Sequence, residues 1–474
     1  MRSCLRARRP SPTTFGTRDV TVYIGSGAGF AGDRLDAGIP VVETLKKKDG
    51  PTYLIFEVMG ERTLAIAQRI KMRNPELGYS PYLEPYLRNV LKDAKDAGVT
   101  IVANLGNANP MGGAKRTHEL AKELGVEGLR IAVVLGDDLL AFMGAEDVAS
   151  LPTIEGVSID GKEIVAANAY LGARPVAEAL KLDVDVVLVG RTTDAALVLG
   201  PLIHEYGWGP EDWDLLAQGT LAGHLLECGG QVTGGYFCDP GFKDVPGMDE
   251  LGFPIGEIEA DGTLTITKAD DTGGMVTRAT VIEQMLYEVH DPSAYLTPDV
   301  QLDITNVTLT EDGKDRIRVT GAKGSPPPET LKVTVSADGG WLAESEMIYA
   351  GPNALARARL AADVVRARVS KHGVTEPVRI EIVGTGAVYD NDASDRERQK
   401  NMPMDGEYRL RAAIRTLDKE TAQYVNDEVL SLFCSGPAGG GGYRCNITGQ
   451  VNTASVLVPR GPVEAQARAQ KVNP

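Results

Sequence analysis

The strongest constraint on this chain is a pattern that recurs through its first half. A short, β-branched apolar run ends in a cluster of glycine and polar residues, and a helical stretch follows. The runs are Val20–Ile24, Tyr53–Phe56, Val99–Ala103, Ile131–Leu135, Glu163–Ala167 and Val184–Val189. Nearly unbroken apolar runs of this length read as strands buried on both faces. Their alternation with helical stretches at Thr63–Met72, Tyr82–Ala97 and Ala114–Leu124 predicts right-handed βαβ units. Gly98 and Gly125 stand where such helices stop. The fold class predicted is α/β: a mostly parallel sheet with flanking helices.

After about Gly235 the texture changes. A helix at Trp213–Cys228, stopped by Gly229-Gly230, leads into short strands punctuated by Gly, Pro and Asp: Leu264–Thr267, Val300–Leu309, Arg316–Thr320, Leu331–Val335 and Met347–Tyr349. A helix at Ala354–Val369, a strand at Val378–Val383, a glycine loop at Gly436–Gly442 and a helical tail at Val463–Lys471 complete the pattern. A length of 474 residues exceeds one ordinary core. The expected division is a leader over 1–19, an α/β domain over 20–235 and an α+β domain over 236–474.

Composition narrows the function. A net charge of -16 without a basic stripe argues against nucleic-acid binding. No apolar run approaches the ~20 residues of a membrane helix. Five cysteines without a CxxC, and five histidines without an HExxH, fit a reducing compartment and give no zinc motif. The first eighteen residues hold Arg2, Arg6, Arg8, Arg9 and Arg18 and no acid. They read as a disordered or targeting leader, which sets the organellar matrix beside the cytoplasm as the expected location.

In an open parallel sheet, ligands bind beyond the carboxyl ends of the strands. Those ends carry Ser26, Gly27, Gly29, Asp33 and Arg34; Glu57 and Arg62; Asn104, Asn107 and Asn109; Asp137; Asn168; and Arg191 and Asp194. Each cluster taken singly also reads as caps and turns. Six on one rim predict a site. The Arg side chains are expected to grip a carboxylate, and Glu57, Asp137 or His224 to move a proton.

Gly27 to Gly32 formally spell GxGxxG. Asp33 and the late Pro40 disfavour a dinucleotide there, and a bare carboxylate held by backbone N–H groups fits better. His224 and Cys228 share a helical face, with Gln231 close behind. A thiol at a helix C-terminus is poorly placed to ionise, so a hydrogen-bonded core Cys competes with a Cys nucleophile. No cofactor or metal is firmly implied. Asp137-Asp138 with Glu57 or Asn104 forms the one weak candidate for Mg²⁺.

Several long segments together resemble the acyclic terpene utilisation (AtuA) family. They are Gly25–Arg34, Phe56–Thr63, Asn104–Pro110, Gly136–Asp138, Ala167–Ala173, Gly190–Leu197, His224–Gly241 and Val289–Val300. The resemblance implies catabolism of a small branched carboxylic acid or its acyl-CoA thioester, and it transfers no catalytic residue. Joined to the rim, it leads us to expect a lyase, hydratase or isomerase using acid–base chemistry. A Cys228-dependent hydrolase or acyltransferase, and a subunit of a heteromeric enzyme needing a small partner chain, are the alternatives. A homo-oligomer is expected for an enzyme of this size.

Overall fold

The computed structural model describes residues 20–159, 161–385, 387 and 402–474; the expected leader over 1–19 lies outside them. The first half contains β1 (Val22–Ala28), α1 (Gly38–Leu45), β2 (Thr52–Phe56), α2 (Glu61–Arg73), α3 (Leu83–Ala97) and β3 (Thr100–Ala103). It continues with α4 (Pro110–Glu123), β4 (Ile131–Leu135), α5 (Ala145–Ala149), β5 (Ile164–Ala169), α6 (Arg174–Leu180), β6 (Val186–Val189), α7 (Ala196–Tyr206) and α8 (Trp213–Glu227). Strands β1, β2, β3, β6 and β4 lie side by side in that order, all parallel.

Apolar residues alternate along these strands between two cores. Tyr53, Ile55, Val102, Val187 and Val134 face one core, shared with α6, α7 and α8. Leu54, Phe56, Ile101, Leu188 and Val133 face the other, shared with α1, α3 and α4. This two-sided burial is why the runs lack polar residues. Because the five strands are parallel, their carboxyl ends reach one rim.

The sheet is mixed rather than mostly parallel. The chain continues through β7 (Pro254–Ile258), β8 (Leu264–Lys268), α9 (Arg278–Leu286), β9 (Tyr295–Leu296), β10 (Gln301–Asp303), β11 (Thr308–Glu311), β12 (Ile317–Thr320) and β13 (Lys323–Ser325). Strand β7 pairs antiparallel with β1, and β8, β12 and β11 extend that edge antiparallel. β13, β10 and β9 form a small separate sheet. The hairpins after residue 235 therefore build on the first sheet.

The remaining elements are β14 (Thr330–Gly351), α10 (Ala354–Lys371), β15 (Val378–Val383), β16 (Gly406–Thr416), α11 (Lys419–Leu430), β17 (Gly440–Pro459) and β18 (Arg468–Val472). The helical tail expected over Val463–Lys471 is instead a short helix, Arg460–Glu464, followed by β18, which pairs antiparallel with β4. A free sheet edge overrides the tail's helix-forming composition. With β6 on one side of β4 and β18 on the other, β5 has no place in this sheet; it pairs with β14.

Contacts divide the chain into two compact units. One holds residues up to 336 with 453–474; the other is 337–452. The second unit carries the sheet β15-β16-β14-β17 and its own core, where Leu355, Ala358, Ala362 and Val365 of α10 and Val425 and Val429 of α11 meet Leu410, Ala412 and Ile414 of β16. The glycine loop belongs to this unit, and from Gly440 onward it is strand.

The tip of β1 meets the end of α8 with no room for a side chain. A Cβ on Gly29 would lie 2.3 Å from the Cys228 carbonyl carbon and 2.5 Å from the Gly229 nitrogen. Backbone, unlike a side-chain end, cannot swing away. Gly29→Ala is expected to lower stability by about 1–3 kcal/mol, read as a drop in urea midpoint. An unchanged midpoint would show that this junction is loose.

Candidate active site

The glycines of the first loop serve packing. A Cβ on Gly27 would fall 2.6 Å from the Phe56 ring, and Gly29 touches the α8 terminus. Ser26 is fully buried within β1. Asp33 braces the loop, accepting from the Gly29 N–H (2.9 Å) and the Arg34 N–H (2.8 Å). The Arg34 guanidinium forks onto Asp36 (3.0 and 3.2 Å) and also donates to the Leu251 carbonyl, so its donors are already engaged.

At the tip of β2, Glu57 is buried. Its Oε1 accepts both from the Met59 N–H and from Asn104 Nδ2, each at 2.8 Å. Asn104 in turn accepts from the Val58 N–H (2.8 Å), which fixes its amide orientation. Burial, then the negative charge of Asp194, push the Glu57 carboxyl up to about 8, against the pull of Arg191. Asn107 has left-handed φ (48°, with ψ -125°), and its buried Oδ1 has no partner. Asn109 is structural: it caps α4 by accepting from the Gly112 N–H and donates to the carbonyls of Pro75 and Leu77.

Asp137, at the tip of β4, ties three segments together. Its Oδ2 accepts from Asn168 Nδ2 (2.8 Å) and from the Arg191 N–H (2.9 Å). Asn168 also accepts from Gln68 of α2 (3.2 Å). Asp138 caps the following turn through Leu140 N–H, and burial raises both carboxyls. Through Oδ2, Asp137 braces the tips of β4, β5 and β6 against one another.

Arg191 is the centre of the cluster. It is 1% exposed. It donates to the carbonyls of Thr192 (2.6 Å) and Met59 and to Asp194, and its guanidinium lies 4.4 Å from the centre of the Tyr170 ring. Tyr170 donates its hydroxyl to Glu61 (2.5 Å), at the first turn of α2. Burial alone would raise Glu61; the Tyr170 hydrogen bond, the helix N-terminus, Lys332 and Arg191 outweigh it and hold the carboxyl down at about 2. Arg62 is on the exposed side of α2.

The C-terminus of α8 supplies the other half. His224 and Glu227 are buried, with Nδ1 3.2 Å from Glu227 Oε1. His224 Nε2 has no partner. The imidazole lies 5.6 Å from the Tyr295 ring. Burial pulls His224 down against the opposing pull of the Met285 and Gln284 backbone and of Glu288, and burial with the charges of Asp194 and Glu288 pushes Glu227 well up. Burial, then Glu227, push the Cys228 thiol up, away from thiolate. Gln231 is half-buried beside Tyr287.

The rim and the helix end therefore meet. Glu57, Arg191, Asp194, His224, Glu227 and Cys228 act on one another electrostatically. A groove of about 790 Å³ is lined by Phe237, Phe242, Met275, Ile282, Leu286 and Tyr287, and Tyr287 lies beside Gln231 and within the field of Cys228. Among the described residues, no group of three His, Cys, Asp or Glu side chains is placed to hold a metal ion, and no helix is long and apolar enough to cross a membrane.

Residues 22–469 match the family described as acyclic terpene utilisation family protein AtuA. The chain belongs to the AtuA family. Comparison with curated proteins and with solved structures finds no match in either. AtuA membership ties the chain to acyclic terpene utilisation, a metabolic role. Three residues of this AtuA cluster are not among the expected site residues: Glu61, Tyr170 and Glu227. Tyr170 directly follows an expected strand tip, and Glu227 lies three residues after His224, so spacing held a signal for both. Glu61 joins only because β5 brings Tyr170 to α2.

The raised Glu57 carboxyl has a consequence for stability. It titrates near 4.5 in the unfolded chain and near 8 when folded. The folded protein holds this proton more tightly, so the contribution is whole below pH 4.5 and is lost as pH rises to about 8. Glu57→Gln keeps the acceptor for Asn104 and Met59 and removes the titration. The fall in urea midpoint between these pH values is expected to be shallower in Glu57→Gln; equal slopes would contradict the assignment.

Proposed function

We propose that this chain is an acid–base enzyme that adds or removes water, or moves a double bond, next to the carbonyl of a small branched carboxylic acid or its acyl-CoA thioester. The observation that carries this reading is Glu57. It is a buried carboxyl aligned by two hydrogen bonds on one oxygen, with a proton affinity near working pH. A proton carrier works best when its pKa lies close to the pH at which it operates. Both bonds fall on Oε1, so neither occupies Oε2, the oxygen we assign to the substrate.

Glu57 takes the α-proton in the direction of elimination and returns it in the direction of hydration. The buried Arg191–Asp194 pair sets the charge that Glu57 meets, and the groove beside Tyr287 suits a branched apolar tail. The acid–base reading is favoured over a Cys228 nucleophile because burial and Glu227 keep that thiol protonated. The chemistry is redox-neutral and runs with side chains alone.

The test is to incubate the full chain in D₂O with a panel of branched enoyl and 3-hydroxyacyl thioesters and the free acids. Loss of the conjugated absorbance and deuterium entry at the α-carbon would be followed together. Deuterium entry is expected for at least one member, and Glu57→Gln should lower it by about 10²–10⁴-fold. In the elimination direction kcat/KM should rise with pH up to about 8 and then level, since the carboxylate form is the base. Full exchange in Glu57→Gln, or binding confined to nicotinamide nucleotides, would sink the proposal.

A further inference from the structure

Water addition or elimination needs two proton carriers, one at the α-carbon and one at the oxygen that arrives or leaves. We propose that His224 and Glu227 form the second carrier, a relay in which His224 Nε2 meets the substrate oxygen and Glu227 exchanges its proton with Nδ1. This rests on the acid–base reading above and names the group that reading leaves open.

The geometry carries it. Nδ1 lies 3.2 Å from Glu227 Oε1, while Nε2 is buried without a partner. A buried polar atom left unpaired is costly and uncommon, and a substrate oxygen is the partner it lacks. Glu227 is poorly placed for stability. It is the last residue of α8, where the helix dipole disfavours an anion, and it is buried there close to other acids. Gln284 Nε2 donates to the His224 carbonyl (3.0 Å) and steadies the backbone that carries the ring.

Protonation follows from the surroundings. His224 faces Glu227 and Cys228 of its own helix end, Asp194 of the β6–α7 loop, Glu288 after α9 and Tyr295 of β9. Burial keeps the imidazole neutral and Glu227 protonated, with Arg191 as the nearby cation acting on the latter. The Glu227 hydroxyl then donates to Nδ1, and Nε2 carries the hydrogen.

In elimination, Glu57 takes the α-proton and the C–H pair becomes the new C=C bond. The C–O bond at the β-carbon breaks with its electron pair on oxygen. That oxygen takes the proton from Nε2, Nδ1 takes the proton from Glu227, and water leaves. Glu57 ends protonated and Glu227 ionised, and one proton passing between them through water resets the pair. No oxidant or reductant enters.

Two measurements test this. The first needs no substrate: nitrogen-15 NMR of histidine-labelled full chain, with His224 assigned by loss of its signal in His224→Gln. The Nε2–H tautomer is expected near neutral pH, and Glu227→Ala should give a tautomer mixture. A dominant Nδ1–H tautomer in the wild type would overturn the relay whether or not any substrate turns over.

The second uses Glu227→Gln, whose amide still donates to Nδ1 but has no acidic proton to pass. Elimination should fall about 10²–10⁴-fold while α-deuterium exchange stays within a few-fold of wild type. His224→Gln should do the same, and Glu57→Gln should lose both. Full elimination in Glu227→Gln beside a dead Glu57→Gln would remove the relay and leave the acid–base reading standing. Full exchange in Glu57→Gln would remove that reading instead.

Discussion

One buried cation governs the rim. A guanidinium cannot shed its proton, so Arg191 brings a permanent charge to a place with almost no water. That is tolerable only if its donors and its face are used. They are: the carbonyls of Met59 and Thr192, the carboxylate of Asp194 and the ring of Tyr170 take them. Removing one partner would leave an uncompensated charge, which is why such a group locks its surroundings. Through Met59 the guanidinium fixes the β2 tip, and its own backbone N–H fixes Asp137.

The same cation is outnumbered by the acids around it. Asp194 pairs with it directly, and Glu57 and Glu227 lie within reach of its field. Like charges in a dry space cannot all ionise, so protons are retained. Glu57 and Glu227 keep theirs, His224 stays neutral and Cys228 stays a thiol. Glu61 shows the contrast. A tyrosine hydroxyl and a helix N-terminus solvate its anion, and it ionises readily. Environment, more than residue type, thus sorts these carboxyls into proton carriers and fixed charges.

The strand tips were readable because a parallel strand buried on both faces has a signature. Val186–Val189 is apolar throughout, and Gly190-Arg191 must then lie at its exit. The glycines read as a carboxylate cradle because close backbone packing and anion binding call for the same residue; at Gly29 the neighbour is Cys228. Arg34 and Asn109 looked like ligand groups, since a guanidinium or amide bonded to its own loop has the same sequence appearance as a free one. The tail at 463–471 was taken for helix because its local preference is helical and the open edge of β4 is not visible in it.

From the sequence alone came the α/β alternation, the common rim of the parallel strands and the AtuA resemblance, because periodicity and strand direction are properties of short segments. Tertiary structure alone decided three things: that hairpins after residue 235 extend the first sheet, that β5 leaves it for β14, and that α8 brings Glu227 against the charges of the rim. Each is a choice between distant segments competing for one edge or one dry cavity. Proton affinity is of this kind too, since it depends on which charges share a space without water.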